Sequence, residues 1–196
     1  MGDRAAGRPR TIDPHEVSLV ALRLFTDRGY AAVSMDEIAV AAGVSRRHLF
    51  QLFASKAALV WGGSEEFAVR HRRAREATDP SMPALHALVG AYREAATFPP
   101  EAVAITRQRL RVIAANPALL GEGAPSDAAL VREMVEFIAA RDGRDADDLE
   151  VVVVVQVAAA AARAALGWWA VASEEPPQDV VARALAVVVP GLGGAA

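Results

Sequence analysis

The sequence predicts an all-α protein in which a small three-helix unit precedes a larger helical domain. Capping residues recur ahead of stretches whose apolar residues follow helical spacing, and Gly and Pro residues separate these stretches. The one run that favours a strand by propensity, five valines at positions 151 to 155, continues into an alanine-rich segment that is too long for a strand. With 53 % hydrophobic residues, the 196-residue chain has ample material for a core.

The first helix is predicted to begin after Asp13, which can cap it and is followed by a proline at the first helical position. Its apolar residues share one helical face: Val17, Val20, Ala21, Leu24 and Phe25. Gly29 is expected to end it. Residues 1–12 lack apolar periodicity and are predicted to form a flexible basic arm that carries Arg8 and Arg10.

Two short helices joined by a glycine follow, in the stretch SMDEIAVAAGVSRRHLFQLFASK. Ser34 and Glu37 form a capping box that opens the first, Gly43 permits the turn, and Ser45 caps the second. This spacing is typical of a helix-turn-helix, whose second helix presents its N-terminal side chains to base edges in the major groove.

The inner side of that second helix is filled by Leu49 together with Phe50 or Phe53. Arg46, Arg47 and Gln51 are then expected to point outward, where either arginine could pair with guanine. The alternative is a solvated, capped helix end with no partner.

Charge is divided unevenly along the chain. Residues 1–75 hold 12 basic and 8 acidic side chains, whereas residues 76–196 hold 9 and 16. A basic first part on an acidic body indicates that the first part meets a polyanion.

Composition and motifs disfavour several classes of protein. The chain has no cysteine, which excludes disulfides and thiolate chemistry. Its four histidines are scattered and it has no nucleophile-elbow, Walker or dinucleotide motif, so neither an enzyme nor a metal or cofactor site is indicated. The chain does not start like a signal peptide, and Gln156 and Arg163 interrupt the apolar segment 151–172. A buried helix in a cytoplasmic protein is therefore expected, not a membrane span.

The rest of the chain is predicted to be helical. A fourth helix is expected from Lys56 to Thr78, and further helices are expected near 82–97, 101–115, 127–142, 147–173 and 178–189. The expected organisation is an arm at 1–12, a helix-turn-helix domain at 13–56 and a helical domain at 57–196. The last two helices are too apolar to stand alone, so they are predicted to pair with their copies in a homodimer.

The segment from Asp13 to Leu59 resembles the DNA-binding domain of TetR-family transcriptional regulators. The matching residues are Phe25, Gly29, Tyr30, Ser34, Ile38, Ala39, Gly43, Val44, Ser45, Leu49, Phe53, Ser55, Lys56 and Leu59. The resemblance implies a C-terminal helical domain for ligand binding and dimerisation. It also implies a homodimer, usually a repressor, that releases double-stranded operator DNA when a small molecule binds.

Roles carried over by position give the expected DNA contacts. Arg46, Arg47, His48 and Gln51 fall where the family reads bases, and Ser34 and Lys56 fall where it holds phosphates. Phe50 replaces a common tyrosine, and Leu52 stands where a tyrosine or histidine often touches the backbone. Both substitutions remove phosphate hydrogen bonds, so the expectation is either weaker DNA binding or more reliance on the arm, whose Arg8 and Arg10 could enter a minor groove. The full expected set is Arg8, Arg10, Ser34, Ser45, Arg46, Arg47, His48, Phe50, Gln51 and Lys56.

A finer resemblance covers SRRHLFQLFASKAALVWG, TRQRLRVIAANPAL and LGWWAV. These stretches look like the TetR subgroup with an acyl-CoA-like ligand-binding domain, which includes regulators associated with mycofactocin gene clusters. The implied effector is a fatty acyl-CoA or a similar amphiphile. The expected ligand-lining residues are Phe98, Arg109, Met134, Phe137, Gln156, Arg163 and Trp168.

Alternatives remain for the second domain. Its arginines could instead pack their stems and reach solvent or a carboxylate. The basic run from Arg70 to Arg75 could be a solvated face or an anchor for a ligand's phosphates. The protein could also be a DNA-architectural or scaffolding protein without an effector, which a structure lacking a cavity in this domain would favour.

Overall fold

The computed structural model describes residues 13–122 and 127–188. Within these ranges the chain forms eleven α-helices and no strand, which confirms the all-α prediction. The valine run at 151–155 is helical, as its continuation into alanine indicates. The predicted basic arm, with Arg8 and Arg10, lies outside the described residues.

The chain divides into two compact units after Gly62. The first unit holds α1 (Pro14–Arg28), α2 (Met35–Ala41), α3 (Arg46–Leu52) and α4 (Lys56–Val60). Buried apolar side chains from all four helices form its core: Val17, Ala21, Leu22, Phe25, Ile38, Leu49, Leu59 and Val60. The expected boundary after residue 56 falls inside this unit because α4 packs against α1, where the Ser18 hydroxyl donates to the Leu59 carbonyl at 2.8 Å.

The helix predicted from Lys56 to Thr78 is two helices, so this prediction is wrong. Helix α4 ends at Val60, and α5 (Ser64–Glu76) begins after Gly63, whose φ of 94° lies in the left-handed region. A Cβ at Gly63 would also lie 2.9 Å from Arg109 Nη1. Two adjacent glycines are a turn signal, and here they break the helix although apolar residues continue on both sides.

The second unit begins with α5. It continues with α6 (Ala84–Ala95), α7 (Pro100–Ala114), α8 (Pro117–Glu122), α9 (Asp127–Asp142), α10 (Leu149–Ala172) and α11 (Pro177–Val188). The short helix α8 is the one that the sequence did not predict. Pro117 takes its first position, where a missing backbone N–H leaves no hydrogen bond unmade.

Helix α10 is central to this unit and packs against α7, α9 and α11. Its buried side includes Trp169 near the C-terminal end, and this side chain is fully enclosed. Two arginines of α7 satisfy its last carbonyl groups: Arg107 Nη1 donates to the Ser173 carbonyl at 2.6 Å, and Arg111 Nε donates to the Ala170 carbonyl at 2.7 Å.

The opposite side of α10 is apolar and exposed. Five of its large hydrophobic side chains lie within about 100° of one another around the helix axis. They are Leu149, Val153, Val157, Trp168 and Val171, and we call them the exposed apolar face of α10. By length and composition α10 could also cross a membrane, and 39 % of its most apolar 18-residue window is buried within the fold.

Candidate functional site

Hydrogen bonds fix the start of α2 and the turn that joins α2 to α3. The Ser34 hydroxyl accepts from the Glu37 backbone N–H at 3.2 Å, and the Glu37 carboxylate accepts from the Ser34 N–H at 2.8 Å, which confirms the capping box. Gly43 has a φ of 66°, and the Val44 N–H donates to the Ala39 carbonyl at 2.9 Å. The direction in which α3 leaves the turn is therefore set by the backbone.

Glu37 also links α2 to α1, because Arg28 donates to its carboxylate. The backbone N–H of Ser34 is the first cause that lowers the pKa of Glu37 to about 2, and the Arg28 guanidinium is the second. The carboxylate therefore remains ionised at neutral pH, and it connects α1 to the capped start of α2.

The side chains of α3 separate into an inner and an outer set. Leu49 is fully buried, whereas Arg46, Arg47 and Gln51 are exposed as predicted. Phe50, which was one of two candidates for the inner side, is 43 % exposed. The Ser45 hydroxyl accepts from the backbone N–H of the half-buried His48 at 3.1 Å and caps the helix.

The two arginines at the start of α3 differ in their partners. Arg46 Nη1 donates to Asp36 Oδ2 at 2.8 Å, and its guanidinium lies 5.4 Å from the centre of the Phe50 ring. In the described part of the chain, Arg47 has no ion pair and no side-chain hydrogen bond, and the same holds for Gln51. Arg47 and Gln51 are four residues apart and so share one face of the helix. This face carries side-chain donors that have no partner in the described part of the chain.

Lys56 has a structural role that the sequence did not indicate. Its ammonium donates to the carbonyls of Tyr30 at 2.8 Å and Val33 at 3.0 Å, and it lies 4.2 Å from the centre of the Tyr30 ring. Two of its three N–H donors thus hold the loop that leads to Ser34, and the third has no hydrogen-bond partner within the described residues.

Four of the expected ligand-lining residues lie in or beside the core of the second unit. Met134 is fully buried, and Arg109 is buried with its pKa lowered by desolvation, which the charge of Glu66 opposes. Phe98 is half-buried with its ring centre 6.3 Å from that of Trp169. Phe137 is half-buried below the Arg75 guanidinium.

The other three lie on the exposed side of α10, so the expectation of an inward position requires correction. Gln156 is exposed, and Arg163 Nη1 donates to Asp127 Oδ2 at 2.6 Å, which was the alternative for this arginine. Trp168 is 49 % exposed, whereas Trp169 is buried and its Nε1 donates to the Glu175 carbonyl at 2.8 Å. Adjacent helical residues point about 100° apart, so only one tryptophan of the pair can face the core.

The basic run on α5 has partners that sequence reasoning missed. Arg70 donates to the Ala95 carbonyl through Nε and Nη2, while Arg72 and Arg75 both bind Glu133 of α9. His71 lies between Arg70 and Arg72 in the sequence, and its side chain is fully buried. Neither a solvated face nor a free cluster for phosphates describes this run. Its main partner is 58 residues from Arg75 in sequence, and no local pattern reveals it.

Comparisons with known proteins identify both units. Residues 19–60 match the family model described as "Bacterial regulatory proteins, tetR family", and residues 82–193 match the model described as "MftR C-terminal domain". A protein from Mycobacterium tuberculosis, described as a putative mycofactocin biosynthesis transcriptional regulator, MftR, is 34 % identical over 137 residues, which are 70 % of this chain and 69 % of that one. The transcriptional activator FasR of Mycolicibacterium smegmatis is 46 % identical over 56 residues, 28 % of this chain and 26 % of FasR.

Solved structures share the fold. FadR of Thermus thermophilus, a TetR-family repressor solved with lauroyl-CoA, has a TM-score of 0.58 and 20 % identity, with 90 % of this chain and 93 % of that chain covered. The fatty acid degradation regulator FadR of Bacillus halodurans has a TM-score of 0.63 and 14 % identity, with 95 % and 98 % covered. At these identities the two matches show a common fold.

Proposed function

Because this chain belongs to the TetR family of bacterial transcriptional regulators, we propose that it is a cytoplasmic homodimeric repressor of palindromic operator DNA. We propose further that a fatty acyl-CoA or a similar amphiphile binds the second unit and releases the DNA. The family is one of regulators, not of enzymes. The observation that supports DNA binding is the outer face of α3. Arg47 and Gln51 are exposed on this face, and Ser45 caps the start of the helix.

The exposed apolar face of α10 supports the homodimer. Isolated apolar residues are common on protein surfaces, but a continuous apolar stripe along one helix favours burial against a partner. A twofold axis that pairs this face with its copy would let two α3 helices read half-sites about 34 to 36 Å apart, one helical turn of DNA.

The family model that matches the second unit supports an effector site there. Lauroyl-CoA is bound by the Thermus thermophilus FadR, which shares the fold of this chain. We therefore expect acyl-CoA molecules to be the first compounds worth testing on this protein.

The experiment has two stages. The operator is first selected from a random-sequence DNA pool, and sequence preference in the selected DNA is the expected result. A chain-length series of acyl-CoA is then titrated while the fluorescence of Trp61, Trp168 and Trp169 and the fraction of operator bound are followed. Saturable binding that strengthens with chain length and releases the operator supports the proposal.

Two other results would contradict parts of it. A protein that binds DNA without sequence preference is not an operator-binding regulator. A protein that binds its operator and ignores every acyl-CoA is either an architectural protein, the alternative function, or a regulator with another effector.

Lys56→Met should weaken binding to all DNA sequences. Loss of the third N–H donor removes one phosphate contact, so the slope of log affinity against log salt should fall in magnitude by about 0.9. Loss of the donors to the Tyr30 and Val33 carbonyls should lower the free energy of unfolding by about 1 to 3 kcal/mol. Salt-dependent binding and chemical denaturation measure the two effects separately. Arg23→Met, which removes a charge from an exposed position of α1, is the control. An unchanged salt slope would leave Lys56 with the structural role alone.

A further inference from the structure

His71 is a buried polar side chain without a partner. It lies on α5 inside the core of the second unit and is fully enclosed. Among the residues that the structure describes, neither Nδ1 nor Nε2 has a hydrogen-bond partner. Buried polar groups in folded proteins are almost always paired, because an unpaired one costs the free energy of its lost hydration. A histidine with two unpaired nitrogens at this depth therefore calls for a physical reason.

Arg75 lies one helical turn further along and carries another unpaired nitrogen. Its Nη1 donates to the Glu133 carbonyl at 2.8 Å and its Nη2 to Glu133 Oε2 at 2.9 Å. Its Nε has no partner within the described residues. Glu133 thus accepts hydrogen bonds from both Nη atoms of Arg75, and the Nε–H of Arg75 is left unused. Residues four apart share one side of a helix, so His71 and Arg75 lie on the same face of α5.

The surroundings of these nitrogens are apolar and aromatic. The His71 ring meets the Tyr92 ring edge-on with the centres 4.5 Å apart, and the Phe67 ring centre lies 6.5 Å away. Apolar side chains of α6, α9 and α10 form the rest of the core. An apolar lining with a few polar groups at fixed positions is the usual composition of a small-molecule site.

The protonation state of His71 limits what can bind there. The pKa of its imidazole is lowered to about 3, first by desolvation and second by the charge of Arg75, while the charge of Glu133 opposes both. The ring is therefore neutral at physiological pH and can donate one hydrogen bond. Glu133 is shared by Arg72 and Arg75, so one carboxylate faces two positive charges, whereas the neutral His71 offers an N–H donor without charge. Such a neutral donor suits an uncharged acceptor.

We propose that His71 and Arg75 Nε form the polar end of the effector site and donate hydrogen bonds to the carbonyl oxygen of a fatty acyl group. This inference rests on the proposed function, because it identifies the part of the acyl-CoA that the second unit recognises. The acyl chain then occupies the apolar core, and a carbonyl oxygen has the two lone pairs that two donors require.

The test compares two ligands that differ only at that carbonyl. Dodecanoyl-CoA has a thioester, and S-dodecyl-CoA replaces its C=O with CH₂. The full-length wild-type protein should bind the thioester at least about tenfold more tightly, because the thioether leaves buried donors unpaired. In His71→Leu this preference should fall, because only the Arg75 Nε donor remains. His71→Gln, which keeps an N–H donor, should retain more of it.

The melting temperature of the unliganded protein gives a second readout, in which the variant should be more stable than the wild type. His71→Leu should raise the melting temperature, because it replaces an unpaired polar group with an apolar side chain. A histidine that serves only the fold would give a lower melting temperature when replaced. His86→Leu, at an exposed position of α6, is the matched control and should change neither readout.

Several outcomes would overturn this inference and leave the proposed DNA-binding function standing. They are equal affinity of the wild type for the two ligands, binding of neither, or a lowered melting temperature for His71→Leu. Operator binding is measured on the same preparation, so loss of the proposed function itself would appear there as a wild-type protein that fails to select any DNA.

Discussion

Arg47→Ala should lower the affinity for the selected operator by roughly 10- to 100-fold and should leave the affinity for unrelated DNA nearly unchanged. Arg47 lies in the first turn of α3, is exposed, and has no side-chain partner among the described residues. A bidentate contact with guanine is the interaction that such an arginine makes most often in a major groove. Removing it deletes sequence readout, whereas non-specific binding depends on the remaining phosphate contacts.

Arg46→Ala is the matched control, because it removes the same charge from the neighbouring position. Arg46 already donates to Asp36, so we expect a smaller loss of discrimination from this variant. Both variants are measured by competition between the operator and random DNA at two salt concentrations. An equal loss on both DNAs for Arg47→Ala would assign this residue to the phosphates and contradict its role as a base reader.

Val153→Glu should convert the protein to a monomer at micromolar concentration and weaken operator binding by more than about 100-fold. Val153 is 49 % exposed and lies in the second turn of α10, on its exposed apolar face. In a twofold dimer this substitution would bring two carboxylates into an apolar interface, where unpaired charges are costly. Loss of the dimer separates the two α3 helices, and each half-site must then be bound independently.

Sedimentation of the wild type and the variant measures the oligomeric state, and circular dichroism checks that the variant is folded. Met82→Glu is the control, because Met82 is 41 % exposed and lies outside α10. A wild-type monomer, or a Val153→Glu dimer with unchanged operator binding, would contradict the proposed interface.

Local signals predicted most of the helices of this chain. Each helix of the first unit begins after a capping side chain: Asp13, Ser34, Ser45 and Ser55. The α9 bounds agree with the prediction at both ends. These successes share one cause, since a cap and an apolar stripe act within a few residues of each other. Position within the helix also predicted that Arg46, Arg47 and Gln51 would be exposed.

The wrong or incomplete predictions involve partners that are distant in sequence. Lys56 binds carbonyls more than 20 residues away, and Arg72 binds Glu133 across 61 residues. The choice between Trp168 and Trp169 depends on the rotation of α10 against α7 and α11, which two adjacent identical residues cannot reveal. His71 was placed within a basic run, and only the packing of Tyr92 against its ring shows that it belongs to the core.

If α3 reads the operator as proposed, the ion pair between Asp36 and Arg46 makes operator preference depend on two helices of this protein. A transplant of α3 alone onto a relative with a different residue at the position of Asp36 would leave Arg46 unrestrained and would carry over only part of the preference. Conversely, one substitution at Asp36 would release a second arginine beside Arg47 without touching the recognition helix. Gene duplicates of such a regulator could therefore acquire separate operators through a change in the helix that does not read the bases.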